Sequence, residues 1–179
     1  MKLTIAIPAA LLAAAAIQAA DSPTVAQLYD NQLRIPEREV VSLAEAMPTA
    51  KYDYAPTGAE FAGVRTFLEQ VKHVATANYM ACSAVLEQKS PVEAGKGENG
   101  SDSIKTKDQA VQYLKDSYTL CHKAMQSMTA ANQLDMVPAG RGKAVRGAEA
   151  SMPVWHSFDH YGQMVEYARA NGIVPPASR

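Results

Sequence analysis

The chain has 179 residues, of which 47% are hydrophobic and 20% are charged, and its formal net charge at pH 7 is −1. This length fits one ordinary domain with a hydrophobic core of its own. The composition excludes a disordered chain, a collagen and a small disulfide-stabilised scaffold. The balanced charge argues against a nucleic-acid partner, because no basic excess is present to displace counterions from phosphates.

The first 20 residues have the pattern of a secretory signal peptide. Lys2 precedes an apolar, alanine-rich run over residues 3–17, and small residues then meet a polar boundary at Asp21. The apolar run is too short to be a convincing membrane span.

We expect cleavage after Ala19 or Ala20, which removes one lysine and leaves residues 21–179 as one domain with a formal charge of −2. The mature protein is then periplasmic or secreted and is not stably inserted in a membrane. The alternative interpretation of the same segment is an uncleaved anchor.

The first predicted helix starts at Ser22-Pro23, which suit an N-cap and a first helical residue, and extends to Met47. Pro36 lies inside this span and predicts that the helix is kinked or divided. Pro48 ends it.

The second predicted helix runs from about Phe61 to Gln88 and is apolar on most of its circumference. A helix of this kind must be covered on several sides, so we place it in the middle of a bundle. One narrow polar stripe is predicted to face solvent: Arg65, Glu69, Lys72, Thr76, Ser83 and Glu87.

Residues 90–105 form a long polar connection, which in bundles indicates a crossover between parallel helices. Thr106 and Gln109 then match a capping box at the start of the third helix. This helix gives way to a loop over residues 138–147 that is rich in Gly and Arg.

The fourth predicted helix begins near Ser151, with Pro153 in its first turn, and stops at Gly172. Gly172, the apolar residue after it and the following prolines suit a Schellman-type end. Because no segment alternates between apolar and polar residues, no sheet is predicted. The sequence therefore predicts an all-α four-helix bundle with one long crossover between helices 2 and 3.

Three of the four histidines form a candidate metal site. His156 and His160 are four residues apart, which places both rings on one face of the fourth helix. Zn²⁺ needs further ligands, and His73 on the second helix is the available third imidazole. The alternatives are a stacked or hydrogen-bonded histidine pair and a surface His73. We expect His122 to be exposed to solvent.

The histidine spacing does not match the zinc-protease motif. That motif has Glu directly after its first histidine, whereas Ser157 stands there in this chain. A metalloprotease is therefore not expected.

Two segments resemble a known family. The C-terminal signature of the DinB-like (damage-inducible) family resembles residues 156–167, HSFDHYGQMVEY, and their continuation at residues 171–179, NGIVPPASR. The second-helix motif of the same family resembles residues 63–75, GVRTFLEQVKHVA. The resemblance implies an up-down-down-up bundle with a three-histidine site for a divalent metal ion, zinc or nickel. Its ligand positions fall on His73, His156 and His160.

The wider superfamily includes metal-dependent transferases and isomerases that use small thiols, and also members without known activity. The resemblance carries over the fold and the site but not the reaction. With export taken from the signal peptide, the first hypothesis is an exported metal-dependent transferase or hydrolase acting on a small molecule, although small thiols are scarce outside the cell. The alternative is a non-catalytic bundle that binds metal or a ligand and forms a homodimer. No catalytic residue is assigned: we interpret Glu69 and Asp159 as ordinary helix-surface carboxylates, with a role as bases or ligand partners as the alternative.

The two cysteines, Cys82 and Cys121, lie on apolar helix faces. Since parallel helices in this topology are expected to be diagonal, their Cα atoms would be too far apart for a disulfide. We expect two buried free thiols, with a disulfide formed after export as the alternative.

Overall fold

The computed structural model describes residues 22–179, so the predicted signal peptide lies outside the described residues. Four helices form the bundle, and a short hairpin precedes the last one: α1 (Val25–Ala46), α2 (Phe67–Val85), α3 (Lys107–Gln126), β1 (Met136–Ala139), β2 (Gly142–Val145) and α4 (Arg146–Ala170). Short 3₁₀ turns lie at Thr49–Lys51, Ala59–Phe61, Lys96–Glu98 and Pro176–Ser178. None of the helices in residues 22–179 combines the length and apolar character needed to cross a bilayer.

Helices α2 and α3 are parallel, and the 86–106 crossover between them runs back along the bundle. Thr76 contacts Tyr113, and six residues further along α2 Cys82 is joined to Cys121, so the contacting pairs advance together along both helices. The prediction of a long crossover between parallel helices is confirmed.

Helices α1 and α4 run in the opposite direction. On α1, Asp30 meets His122 of α3, whereas the Lys107 ammonium at the start of α3 donates to the carbonyl of Met47 just beyond the end of α1. On α4, the order of contacts with α2 is likewise reversed, because Arg146 at the start of α4 binds the carbonyl of Val85 at the end of α2, whereas Gln163 further along α4 accepts from Gln70 near the start of α2. The topology is up-down-down-up, as the resemblance implied.

The lateral arrangement differs from the expectation. Helix α2 packs against α3 and α4, and α1 packs against the same two, so the diagonal relation is between α1 and α2. Because α2 and α3 are neighbours, the Cα atoms of Cys82 and Cys121 are 5.0 Å apart and the two residues form a disulfide. The expectation of two free thiols is therefore wrong.

Helix α2 occupies the middle of the bundle, as predicted, since 15 of its 19 residues are buried. Its predicted solvent stripe is wrong, because Lys72, Thr76 and Ser83 are buried. The crossover and α3 cover part of this stripe. The Thr76 hydroxyl forms a hydrogen bond with the Tyr113 hydroxyl at 3.1 Å, and Gly100 lies directly over the Thr76 side chain.

The start of α2 is later than predicted. Thr66 caps the helix by accepting a hydrogen bond from the backbone N–H of Glu69, whose carboxylate accepts from the backbone N–H of Thr66. This capping box fixes the first turn at Phe67 rather than Phe61. The capping box predicted for Thr106 and Gln109 on α3 is confirmed.

Helix α1 begins one residue after its cap, Thr24, and continues past Pro36 to Ala46 without division. Pro36 is buried, so the missing backbone hydrogen bond is tolerated inside the packed bundle. The predicted stop before Pro48 is confirmed.

Residues 136–145 form an antiparallel hairpin rather than a loop, with Val137 opposite Ala144. Each strand has four residues, which is too short to show alternation in the sequence, and one strand contains Pro138. Helix α4 then starts at Arg146, five residues before the predicted Ser151, because the Arg146 guanidinium binds the Val85 carbonyl at the end of α2.

Helix α4 ends as predicted. Gly172 has a positive φ of 74°, and the backbone N–H of Ile173 donates to the carbonyl of Ala168 at 3.0 Å. This is the Schellman pattern that the sequence indicated.

Candidate metal centre

The three predicted ligands converge at one point between α2 and α4. The ring centroid of His73 lies 5.1 Å from that of His156 and 4.6 Å from that of His160, and the latter two are 4.5 Å apart. One possible ligand atom from each ring lies within 4.8 Å of the others. The structure therefore brings together all three histidines that the sequence singled out.

Hydrogen bonds orient two of the rings. The Nδ1 atom of His160 lies 2.7 Å from Oε1 of Gln70, and the Nδ1 atom of His73 lies 3.0 Å from the carbonyl oxygen of Glu98. The Glu98 carbonyl oxygen can only accept. Oε1 of Gln70 also accepts, because the N–H group of the same amide donates to Oε1 of Gln163 at 2.9 Å. Each Nδ1 therefore carries the proton, which leaves the Nε2 lone pair free to bind a cation.

His156 differs from the other two ligands. It is half-buried, and its buried Nδ1 atom has no hydrogen-bond partner among residues 22–179. Buried polar atoms normally have a partner, and no hydrogen bond joins any two of the three rings in the same part of the chain. The hydrogen-bonded histidine pair considered as an alternative is therefore absent among residues 22–179, and the arrangement is compatible with a metal site.

The imidazoles are neutral at pH 7, as metal coordination requires. Burial, together with the charge of the neighbouring histidines, lowers the pKa of His160 to about 3 and that of His156 to about 4. Burial and the nearby Arg65 guanidinium also lower the pKa of His73.

The crossover passes over the centre and closes one side of it. Arg65 donates from Nε to Oδ1 of Asn99 at 2.7 Å and from Nη2 to the carbonyl of Gly97 at 2.9 Å. The intervening Glu98 supplies the carbonyl that binds His73, with its own φ at 58°. We refer to residues 95–100 as the glycine loop.

The glycine loop depends on close backbone contact. Gly95 has a φ of 69°, and a Cβ atom there would overlap the carbonyl oxygen of Gly100. The backbone N–H of Gly100 donates to the carbonyl of Ala94 at 2.8 Å. Glycine at position 95 is therefore required for the tight turn that presents the Glu98 carbonyl.

The two carboxylates considered near the site have different surroundings. Glu69 forms the capping box of α2 with Thr66, so it has a structural role. Asp159 is exposed on α4, beside the ligand His160. Neither environment identifies a catalytic residue.

His122 is not solvent-exposed, contrary to the prediction. It is half-buried, with Nδ1 2.6 Å from Asp30 and Nε2 2.8 Å from Glu37, both on α1. Burial lowers its pKa, but the two carboxylates outweigh burial and raise the pKa above its ordinary value of 6.5. The seven-residue spacing of Asp30 and Glu37, which places them on one helix face, was the signal available in the sequence.

Sequence reasoning also did not find Gln70 or the glycine loop as supports of the ligands. Gln70 precedes His73 by three residues and lies on the same side of α2, which was a usable signal. The Glu98 contact uses a backbone carbonyl, for which the residue type gives no signal.

No curated protein matches the chain. A family model described as the DinB superfamily matches residues 32–164, which is well over half of the chain and includes α2, α3, most of α1 and α4, and the three clustered histidines. The chain therefore belongs to the DinB superfamily.

Proposed function

We propose that the protein is exported and that His73, His156 and His160 hold a divalent metal ion, zinc or nickel, with which the protein transfers or hydrolyses a group on a small molecule. The observation that carries the proposal is the convergence of three neutral imidazoles from two helices. Two of them are oriented by acceptors outside the cluster, as metal-binding histidines commonly are.

A divalent ion held by three neutral imidazoles supplies Lewis acidity toward a water or thiol at an open position. The protein residues prepare the site for this chemistry. Gln70 and the Glu98 carbonyl hold the tautomers of His160 and His73. His156 is the least buried of the three histidines, so it is the proposed ligand that lies nearest to solvent.

The second candidate function is binding without catalysis. His73 is 5% exposed and His160 is 6% exposed, so two of the three ligands are almost closed to solvent. The capping role of Glu69 also removes one candidate base. A centre that is closed to solvent and has few candidate general bases favours a structural or binding role for the ion.

Export is supported by the disulfide between Cys82 and Cys121, since structural disulfides are typical of oxidising compartments. The test is N-terminal sequencing of protein recovered from the periplasm or the medium. We expect the mature chain to start at Ala20 or Asp21, and recovery of an intact Met1 from those fractions would contradict cleavage.

The proposed partner, apart from the small molecule, is a second copy of the chain. Exposed apolar side chains lie on α1 (Leu28 and Ile35) and on its neighbour α4 (Trp155 and Phe158). We propose no nucleic-acid partner, because the net charge is slightly negative. Light scattering on the purified protein tests the dimer, and a monomeric mass at micromolar concentration would contradict it.

Metal titration with matched variants tests the metal centre. We expect His73→Ala, His156→Ala and His160→Ala each to abolish tight Zn²⁺ or Ni²⁺ binding in calorimetry, with helical circular dichroism largely retained. His122→Ala is the control, because this histidine lies outside the cluster. Unchanged affinity in the three cluster variants would contradict the site.

Fluorescence gives an independent measurement. Trp155 is the single tryptophan, and its ring centroid lies 5.8 Å from that of His156. Ni²⁺ bound at the centre should therefore quench its emission in the wild type and in His122→Ala, but not in His160→Ala.

Metal analysis of protein from its native compartment identifies the ion. A screen of small electrophiles, with and without thiols, then separates the two candidate functions. Turnover that disappears in His160→Ala supports the enzyme, whereas metal binding without turnover supports the binding role.

A further inference from the structure

An apolar cleft lies next to the metal centre, between the segment that precedes α2 and the last turns of α4. Its volume is about 570 Å³, which is within the range of small-molecule sites. Most of its wall is apolar, and includes Tyr54, Phe61, Val64 and Tyr167.

The walls of the cleft are preformed. Tyr54 and Tyr167 pack edge to face with ring centroids 5.7 Å apart, and the Tyr167 hydroxyl donates to the carbonyl of Arg65 at 2.9 Å. Phe61 and Val64 are 42% and 39% exposed, respectively, so two large apolar side chains face an open cleft instead of the core. Covering such a surface with an apolar group lowers the free energy of the system.

A short chain of hydrogen bonds connects the cleft to the metal ligands. Gln163 lines the cleft and accepts from the Gln70 amide, and Gln70 in turn accepts from Nδ1 of His160. The cleft wall is thus two hydrogen bonds away from a ligand ring. A molecule that occupies the cleft contacts Gln163, the side chain that holds Gln70 against His160.

The charged side chains around the cleft indicate which chemical groups its ligand carries. Among residues 22–179, Glu166 is the single charged residue in the lining; its side chain is 74% exposed at the rim and lies 3.8 Å from the Arg169 guanidinium, an exposed pair on the same helix. In the same part of the chain, no cationic side chain lines the cleft itself to pair with a carboxylate or a phosphate. The lining therefore suits an aromatic molecule that is neutral or carries an amine.

We propose that this cleft binds the aromatic part of the small molecule on which the metal centre acts, with a neutral or amine substituent toward Glu166. The inference rests on the proposed function for its link to the metal, but binding in the cleft itself does not require an ion.

Three indoles that differ in one substituent test the proposal: tryptamine, tryptophol and indole-3-acetate. In calorimetric titrations of the metal-free protein, we expect tryptamine and tryptophol to bind at least fivefold more tightly than indole-3-acetate. Equal affinity for all three, or no binding of any, would overturn the proposed ligand class.

Variants locate the binding. Ala170→Trp places a bulky ring in the cleft at an exposed position near the end of α4, and Phe61→Ala removes one wall. Both should weaken tryptamine binding at least fivefold. Leu134→Ala, an exposed apolar residue that does not line the cleft, is the matched control. Equal affinity in all three variants would overturn the location.

Cobalt tests the link to the metal centre. In protein loaded with Co²⁺, the proton relaxation of bound tryptamine should increase over that with Zn²⁺, and His156→Ala should abolish the increase. Tryptamine binding without enhanced relaxation would refute a shared site. If Co²⁺ does not bind at all, the metal centre is refuted, whereas the titration of the metal-free protein still decides whether the cleft binds.

Discussion

Gln70 on α2 accepts a hydrogen bond from Nδ1 of His160 on α4 at 2.7 Å, and its amide donates to Gln163 on the same helix as His160. The ring of one proposed ligand is therefore oriented by the helix that carries another, His73. Because the two helices are packed together, the arrangement proposed for metal binding is present without an ion.

The first prediction concerns this contact. Gln70→Leu removes the acceptor for His160, so the ring is free to rotate or change tautomer, and we expect the affinity for Zn²⁺ to fall about 10- to 100-fold. Gln70→Glu keeps an acceptor and should retain most of the affinity. Competition titrations with a chelator measure both, with the exposed Gln112→Leu as control. An unchanged affinity in Gln70→Leu would show that packing alone orients the ring.

The second prediction concerns the glycine loop. Gly95→Ala introduces a methyl group that overlaps the carbonyl of Gly100, so the loop must shift and the Glu98 carbonyl withdraws from His73. We expect metal affinity to fall about tenfold or more. The control is Gly142→Ala, where a Cβ atom meets nothing within 4 Å and φ is not positive. Equal affinities in the two variants would contradict the role of the loop.

The third prediction concerns the disulfide. Cys82 and Cys121 are 39 residues apart in sequence, and their bond constrains the unfolded chain between them. Reduction, or the double substitution Cys82→Ala with Cys121→Ala, should lower the free energy of unfolding by about 2–4 kcal/mol. Urea denaturation with and without reductant measures the loss. The double variant should be insensitive to reductant, and a wild type that is equally insensitive would contradict the prediction.

The fourth prediction concerns pH. Burial opposes the charged form of His122, but hydrogen bonds to Asp30 and Glu37 outweigh it and raise the pKa above 6.5. The charged ring therefore stabilises the fold below pH 6.5, and this contribution is lost as the pH rises through the raised pKa. Burial of Asp30 is likewise outweighed by its bonds to His122 and Arg34, so its pKa is lowered from 3.8, and its contribution is lost at still lower pH.

His122→Asn tests this sign. The difference in unfolding free energy between wild type and variant should be greatest near pH 5, at about 1–2 kcal/mol, and should shrink as the solution becomes alkaline. Denaturation of the metal-free proteins at several pH values measures it. A difference that grows with increasing pH would contradict the assignment.

The four helices could be predicted because their signals are local. Caps such as Thr106 with Gln109, the stop at Gly172 and the apolar periodicity of α2 all lie within a few residues of the feature that they determine. The spacing of His156 and His160 is local in the same sense. His73 was the available third imidazole, and the family resemblance placed a ligand position on it.

One error was local, because the capping box of Thr66 and Glu69 that starts α2 could have been found in the sequence. The other errors concern features that depend on which segments meet in space. Thr76 is polar by type, but the crossover covers it, and no pattern within α2 shows this. The bond between Cys82 and Cys121 and the position of His122 between two carboxylates depend on which helices are neighbours. Long-range packing of this kind leaves no periodic signal in a single sequence.

The contact between His73 and the glycine loop has an evolutionary consequence. The acceptor is a peptide oxygen, so natural selection can maintain this support while position 98 varies among residues that tolerate its positive φ of 58°. The constraint falls instead on Gly95 and Gly100, where substitution would change the course of the backbone. In comparisons across species, we therefore expect invariance at these two glycines and variation at Glu98.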